Sequence, residues 1–363
     1  MSSKELIKRA KHFLPEIEHV REYLEKDYET LISRGFPGAE HELRTCRMGW
    51  PEAESVEGEE LTSALKEERR QILEAGLRAV TKIEAEGENA YLGPIEGIGL
   101  EAIILIQGRP ALLIQDGHFS EPPPEWEILE EKRESIEKNC QSVGRIELLR
   151  HPNRTWAGTG FLVAEDVVMT NRHVAITFCS RKNSDDWVFF RGVRSRIDYA
   201  EEPDKPSAEE FFLTEVIGVH KRLDLALFRV SRRGSRRMKP PEPLTIASEV
   251  SGKVKDRYVY VLGYPYWDPF NNDPEVMHRI FDGIYGVKRL QPGKLTTLKK
   301  SHRLFEHDCS TLSGNSGSCV IDLDTGLVIG LHFGGKYRVF NSAVALWLLK
   351  DDPLLTNAGV QFD

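Results

Sequence analysis

Long apolar runs are missing from this chain of 363 residues. No stretch approaches the ~18 consecutive apolar residues of a membrane helix, and the most apolar segment, 102–107 with 111–115, is broken by Gly108, Arg109 and Pro110. No membrane partner is expected. Cysteine is scarce: five residues, an odd number at irregular spacing, form no disulfide framework. The opening MSSKELIKRAKHFLPEIEHV has neither an apolar core nor a small-residue cleavage site, so no secretory signal is read and the expected location is a reducing cytoplasm. His-Glu-x-x-His, paired Cys-x-x-Cys, a P-loop and a strand-to-helix Gly-x-Gly-x-x-Gly are all lacking, so neither metal nor cofactor is expected. There is no basic stripe either. The run 231–239 (SRRGSRRMK) is short enough to be a solvated loop, and no nucleic-acid partner is expected.

What is present describes a soluble globular protein of two or three domains, 40% hydrophobic and 29% charged. Residues 1–120 hold 15 Lys+Arg against 23 Asp+Glu, which accounts for the whole net charge of −8. Helical spacing runs through Leu6, Phe13, Leu14, Ile17, Val20, Leu24, Tyr28 and Ile32 and ends at Gly35 and Pro37. An acidic loop at 48–60 precedes a second helix over 60–85, and 102–107 with 111–115 reads as a hairpin or a bent pair of strands around Gly108-Arg109-Pro110. The prolines at 122–124 make a stiff linker, followed by a short charged helix over 126–139. Residues 1–120 thus form an acidic α-rich region and 121–142 a linker with a short helix.

From 143 onward the texture is β. Short runs of strand formers recur with turn residues between them, at 144–149, 158–164, 167–170, 187–190, 212–219, 225–230, 259–262, 318–322, 328–333 and 343–346. Such spacing without long helices argues for an all-β sandwich or barrel.

Three passages in this region carry chemistry. Gly158-Thr-Gly-Phe-Leu-Val is followed by Met169-Thr-Asn-Arg-His173; Arg222-Leu-Asp224 opens an apolar run; and Thr311-Leu-Ser-Gly314-Asn-Ser316-Gly-Ser-Cys319 precedes Gly330-Leu-His332-Phe333-Gly334-Gly335. A serine hydroxyl is a poor nucleophile until a base takes its proton, and that base needs a carboxylate to fix its tautomer. The order His, Asp, Ser differs from that of α/β-hydrolases and subtilisins. Glycines around Ser316 let backbone N–H groups face one point, as an oxyanion demands.

On these motifs, residues 143–350 resemble the trypsin-like serine peptidases, and within them the V8-like glutamyl endopeptidase branch. The resemblance implies a mainly β, chymotrypsin-like fold of two six-stranded barrels, over 143–238 and 239–352, preceded by the α-rich region. It implies His173 as general base, Asp224 as its orienter, Ser316 as nucleophile, and the amides of Gly314 and Ser316 as the oxyanion hole. Phe333, Gly334 and Gly335 would pair with the backbone of a protein or peptide substrate. Trypsin-like preference for basic residues needs an acid where Ser310 stands. The glutamyl branch instead carries a threonine and a histidine, matched by Thr311 and His332, with the imidazole partly protonated near neutral pH. Asn315 replaces the aspartate of the zymogen-activated branch, and Cys319, a small buried hydrophobe, stands where proline is usual. The alternative is a catalytically silent trypsin-like domain that binds protein. Residues 1–120 match no motif, and are read as a stabilising extension or as a regulatory or docking region for a protein partner.

Overall fold

A computed structural model of the protein describes residues 7, 10, 58–103, 109–183, 186–203, 210–234, 239–267, 284–336 and 340–363. Two compact units divide the chain. One contains 1–111, 121–128 and 272–284, and the other 112–120, 129–271 and 285–363. The helix read over 3–33 and residues 48–57 of the loop read over 48–60 lie outside the described residues, except that Ile7 and Ala10 are helical and buried; residues 58–60 are already helix.

In the first unit, α1 (Gly58–Glu86) and α2 (Pro94–Ile103) cross closely. A Cβ on Gly76 would lie 2.7 Å from the Gly99 carbonyl oxygen and 2.5 Å from Ile103, so the crossing requires a residue without a side chain. Leu73, Val80 and Ile83 are buried on α1, and Leu100 and Ile103 on α2. Proline at the first position of α2, with Glu96 accepting the Gly93 N–H at 2.8 Å, starts this helix. Ala102 and Ile103, read from sequence as strand, are its last turn.

The second unit begins with a hairpin, β1 (Leu112–Gln115) and β2 (His118–Phe119). Asp116 and Gly117 turn it with φ of 52° and 80°, the pair of left-handed residues that a tight type I′ turn requires. Then come α3 (Ile128–Glu131) and α4 (Arg133–Cys140). Arg133 lies over the Phe119 ring at 3.8 Å and joins Glu130 and Glu137.

The first barrel is built from β3 (Val143–Leu149), β4 (Trp156–Ala164), β5 (Val167–Thr170), β8 (Arg194–Asp198), β9 (Glu210–Val219) and β10 (Ala226–Val230). They close in the order β10-β5-β4-β3-β8-β9, every pair antiparallel. One helical turn, α5 (Arg172–Ala175), follows β5, and a small hairpin, β6 (Cys179–Arg181) with β7 (Trp187–Phe189), stands beside it. Ile146, Leu162, Val168, Phe178, Ile197 and Phe228 fill the interior.

The second barrel uses β11 (Tyr258–Gly263), β12 (Arg289–Lys299), β13 (Leu304–His307), β14 (Cys319–Asp322), β15 (Val328–Lys336) and β16 (Phe340–Ala345). Their order is β11-β14-β15-β16-β13-β12, closed by β11–β12 pairing, with β1 added to the outer part of β12. Val259, Val261, Leu295, Phe305, Val320 and Ile329 form its core, and Trp347 stacks on Phe305 at 5.5 Å. The short helix α6 (Pro353–Asn357) comes last, capped by Asp352. The fold is therefore mainly β, with two closed six-stranded antiparallel barrels. No helix among the described residues is long and apolar enough to cross a membrane.

Candidate active site

Strand β5 ends at Thr170, and the single turn of α5 places His173 at the barrel rim. Asp224 stands just before β10. Its carboxylate accepts the His173 backbone N–H at 2.9 Å on one oxygen, and the other lies 2.6 Å from His173 Nδ1. Asn171 donates to the Asp224 carbonyl at 2.9 Å, so the acid is held from both sides. Burial pushes the Asp224 carboxyl upward, but the hydrogen bonds and charge of His173, with Arg172, outweigh it and hold the group below its ordinary value. An ionised Asp224 fixes the proton on Nδ1 and leaves the Nε2 lone pair free.

Ser316 lies in the loop between β13 and β14. Gly314 and Gly317 flank it with φ of 90° and 91°. A Cβ on Gly317 would meet the Thr159 carbonyl oxygen at 2.0 Å, and one on Gly314 the Tyr264 carbonyl oxygen at 2.4 Å, so both positions demand glycine. Thr159, fully buried in the middle of β4, fastens this loop. Its hydroxyl donates to the Gly314 carbonyl at 2.8 Å and accepts the Tyr264 N–H at 3.1 Å, while its N–H donates to the Ser316 carbonyl at 2.9 Å. The Ser313 carbonyl is turned toward the Tyr266 N–H at 2.6 Å, so across that peptide the Gly314 N–H points the opposite way. Neither the Gly314 N–H nor the Ser316 N–H is bonded to another described residue.

The two barrels bring these groups together. A Cβ on Gly158 would lie 2.8 Å from the Ser316 carbonyl oxygen and 2.9 Å from a methyl of Val174, the residue after His173. No hydrogen bond joins His173 Nε2 to the Ser316 hydroxyl.

Next to Ser316, β15 presents His332, Phe333, Gly334 and Gly335. On one side β15 pairs with β16; on the other, pairing with β14 stops at Leu331, and His332 continues it only through bonds with Gly317 and Ser318. A bulge falls between His332 and Gly334. Among the described residues, Phe333–Gly335 is therefore unpaired on that side, beginning at the nucleophile loop. Such an edge can accept one further strand.

His332 is buried, and its ring meets that of His307 on β13, with His307 Nε2 3.2 Å from His332 Nδ1. Desolvation drives both away from protonation: His307 is pushed down to about 3, and His332 well below its ordinary value by burial and by the charges of His307 and His173. The partly protonated imidazole expected from sequence is thus corrected to a neutral one, because a buried ring beside a second imidazole cannot hold a charge cheaply. Among the described residues, His307 Nδ1 is buried without a hydrogen-bond partner. An unbonded lone pair costs less than an unbonded N–H, which places the His307 proton on Nε2, donating to His332 Nδ1. The His332 proton then sits on Nε2. Thr311 is half-buried, and its side chain makes no hydrogen bond to a described residue. Asn315 and Cys319 are buried, the Asn315 amide without a partner against Gly263.

Thr159 and His307 were not singled out in sequence. Thr159 lies inside the Gly-Thr-Gly motif, where alternation alone marks it as one more barrel residue. His307 carries no signal, being 25 residues from its partner. The carboxylates of Glu147, Asp198 and Glu201 also converge, but Arg145 bridges Glu147 and Glu201, and Arg196 bridges Glu147 and Glu210. Guanidinium charge answers Glu147 and Glu201, and Asp198 accepts the Ala200 N–H at 2.9 Å, so the three carboxylates already have partners.

Comparison with known proteins agrees in kind. The family model of the trypsin-like peptidase domain matches residues 158–331. A "probable serine protease" of Lysobacter enzymogenes is 27% identical over 316 residues, covering 76% of this chain and 79% of the relative. That share exceeds what residues 143–363 supply, so the likeness runs into the region ahead of the barrels. The glutamyl endopeptidase of Staphylococcus aureus (strain MW2) is 27% identical over 195 residues, covering 53% of this chain and 51% of its own length; the chain spans about half of that enzyme. Among solved structures, the Rv3671c protease of M. tuberculosis in its active form is 21% identical, with a TM-score of 0.41 over 67% of this chain and 89% of that one.

Proposed function

We propose that this protein is a serine endopeptidase that forms an acyl-enzyme on Ser316 and cleaves after acidic residues, glutamate ahead of aspartate. The observation that carries the reading is the His173–Asp224 pair, joined by a ring bond of 2.6 Å and a backbone bond of 2.9 Å, at a rim shared with a glycine-flanked serine. Substrate lies along Phe333–Gly335 as an added strand. His173 Nε2 takes the Ser316 proton as Oγ bonds to the scissile carbonyl carbon, and the carbonyl oxygen, now negative, accepts from the amides of Gly314 and Ser316. The imidazolium, steadied by Asp224, protonates the leaving amine as the C–N bond breaks. Water, deprotonated by the same nitrogen, releases the acid.

Acidic selectivity rests on neutral donors. The His332 Nε2–H and the Thr311 hydroxyl both suit a carboxylate, which would otherwise lose its hydration uncompensated. The bound carboxylate in turn favours protonation of His332. The staphylococcal relatives, named glutamyl endopeptidases, support this specificity.

The acidic region ahead of the barrels acts as a regulatory or docking part in a reducing cytoplasm, where the buried free thiols Cys140, Cys179, Cys309 and Cys319 stay reduced. A truncation that tests this begins at Leu112, because β1 pairs with β12. Raised peptidase activity means a covering role, and loss of one protein substrate a docking role.

The decisive test of the chemistry is fluorophosphonate labelling with peptide mapping, which should modify Ser316 alone, joined to a cleavage profile on a peptide library. An unlabelled, inert protein would identify a silent binding domain instead. A profile led by basic or large apolar residues would remove the acidic pocket and leave the nucleophile intact.

A further inference from the structure

Among the described residues, every hydrogen bond of His220 goes to a residue within two positions of His173 or Asp224, or to Asp352, 132 residues away. Its backbone N–H donates to Leu225 O at 2.9 Å, closing the 220–225 turn around Asp224. Its carbonyl accepts from the Arg172 guanidinium, on the residue before His173. Its Nδ1 lies 3.1 Å from the Arg222 N–H and 2.8 Å from the Leu223 N–H. Two amides aimed at Nδ1 require a lone pair there, so the ring proton sits on Nε2 and donates to Asp352 Oδ2 at 3.2 Å. The other Asp352 oxygen caps α6 by accepting the Leu354 N–H at 3.0 Å. Leu354 in turn covers Gly218 at the end of β9, where a Cβ would lie 2.6 Å from its methyl.

We propose that His220 is a positioning residue of the catalytic machinery, held in its working rotamer by Asp352. Through this latch the cap of α6 sets the pose of Asp224 and, by way of Arg172, of His173. The inference rests on reading His173, Asp224 and Ser316 as the triad. Lys221 and Arg222 are exposed, and among the described residues the amides of Arg222 and Leu223 have no acceptor besides this ring. A ring released from Asp352 turns about its χ angles and leaves both amides to water, and the turn that carries the acid loosens. The base is then misaligned while the substrate edge on β15, in the other barrel, is untouched. The latch should therefore act on kcat and leave KM alone.

Asp352→Ser in the full chain separates capping from latching. Serine caps a helix well but is too short to reach His220. This variant should melt as wild type does, lower kcat about tenfold at unchanged KM, and shift or broaden the downfield proton resonance of the His173–Asp224 hydrogen bond. His220→Ala should lose more, on the order of tenfold to a hundredfold, and His220→Asn, which restores an acceptor for the two amides, should recover part of that loss. Wild-type kcat and an unmoved resonance in both Asp352→Ser and His220→Ala would overturn the proposal, as would a loss that only tracks the unfolded fraction. Failure of the triad reading itself has a separate signature: Ser316→Ala would retain activity, whatever the resonance shows.

Discussion

The two barrels share one strand order and differ in what they bury. The first packs an aromatic and aliphatic interior, with Phe178 and Phe228 at 5.3 Å, and keeps its buried charges in outer Arg–carboxylate networks such as Glu147 with Arg145 and Arg196. The second buries His307, His332, Asn315 and Ser318, several of their polar atoms without partners. The first barrel holds the His–Asp pair on connections outside its sheet, fixed by side-chain-to-backbone bonds. The second shapes its wall from the sheet itself. Aligning a proton relay needs rigid connections and an apolar core behind them. Recognising a side chain needs polar groups inside, and those cost stability.

The largest effect that tests this division is Ser316→Ala, expected to lower kcat about a millionfold at unchanged melting temperature, because the triad acts as a unit. Next is Asp224→Asn, expected to cost about ten-thousandfold in kcat by disturbing the His173 tautomer, measured on the same ester and peptide substrates. His307→Phe removes the donor to His332 Nδ1. It should lower kcat/KM for glutamyl peptides about tenfold more than for alanyl peptides; equal losses would return His307 to a packing role.

The same variant probes the cost of buried imidazoles. A histidine whose folded value is about 3 against an ordinary 6.5 takes its proton only when the chain unfolds. Its contribution to stability is complete above pH 6.5 and is lost as pH falls from 6.5 towards 3. Urea midpoints of wild type should drop across that window, and those of His307→Phe should drop less. The smallest effect is Thr159→Val, which leaves the Gly314 carbonyl and the Tyr264 N–H without their shared hydroxyl. It should destabilise by about 1–3 kcal/mol and slow acylation through a displaced Gly314 amide, read by fluorophosphonate labelling rate.

Much of this was legible in sequence for reasons these residues make plain. The strands read at 158–164, 259–262 and 328–333 are near-continuous apolar runs, since barrel interior and flanking structure cover both faces. Barrel strands β8, β12 and β13 escaped notice: Arg194-Ser-Arg-Ile-Asp198 is a charged segment whose Arg196 is neutralised by Glu147 and Glu210 across strands, β12 contains Pro292 and Gly293, and β13 is only four residues long. The β1–β2 hairpin was misplaced by reading Gly-Arg-Pro as the turn and passing over Asp116-Gly117, whose positive φ values make the bend. His173, Asp224 and Ser316 could be found because each sits in a turn that only a few residue types can form. Thr159, His307 and His220 could not, because their roles depend on neighbours that the chain brings from far away.

The β15 edge left unpaired among the described residues has a consequence, on the proposed function, for which proteins can be attacked. An edge that must gain a strand accepts only a segment with its own amides and carbonyls free, extended over the three residues from Phe333 to Gly335. A helix or a sheet interior cannot comply without first unravelling. On the proposed reading, the conformation of a target filters it before any side chain is read, and well-folded neighbours are spared by their own secondary structure. Loops, termini and damaged or nascent chains remain as the accessible diet.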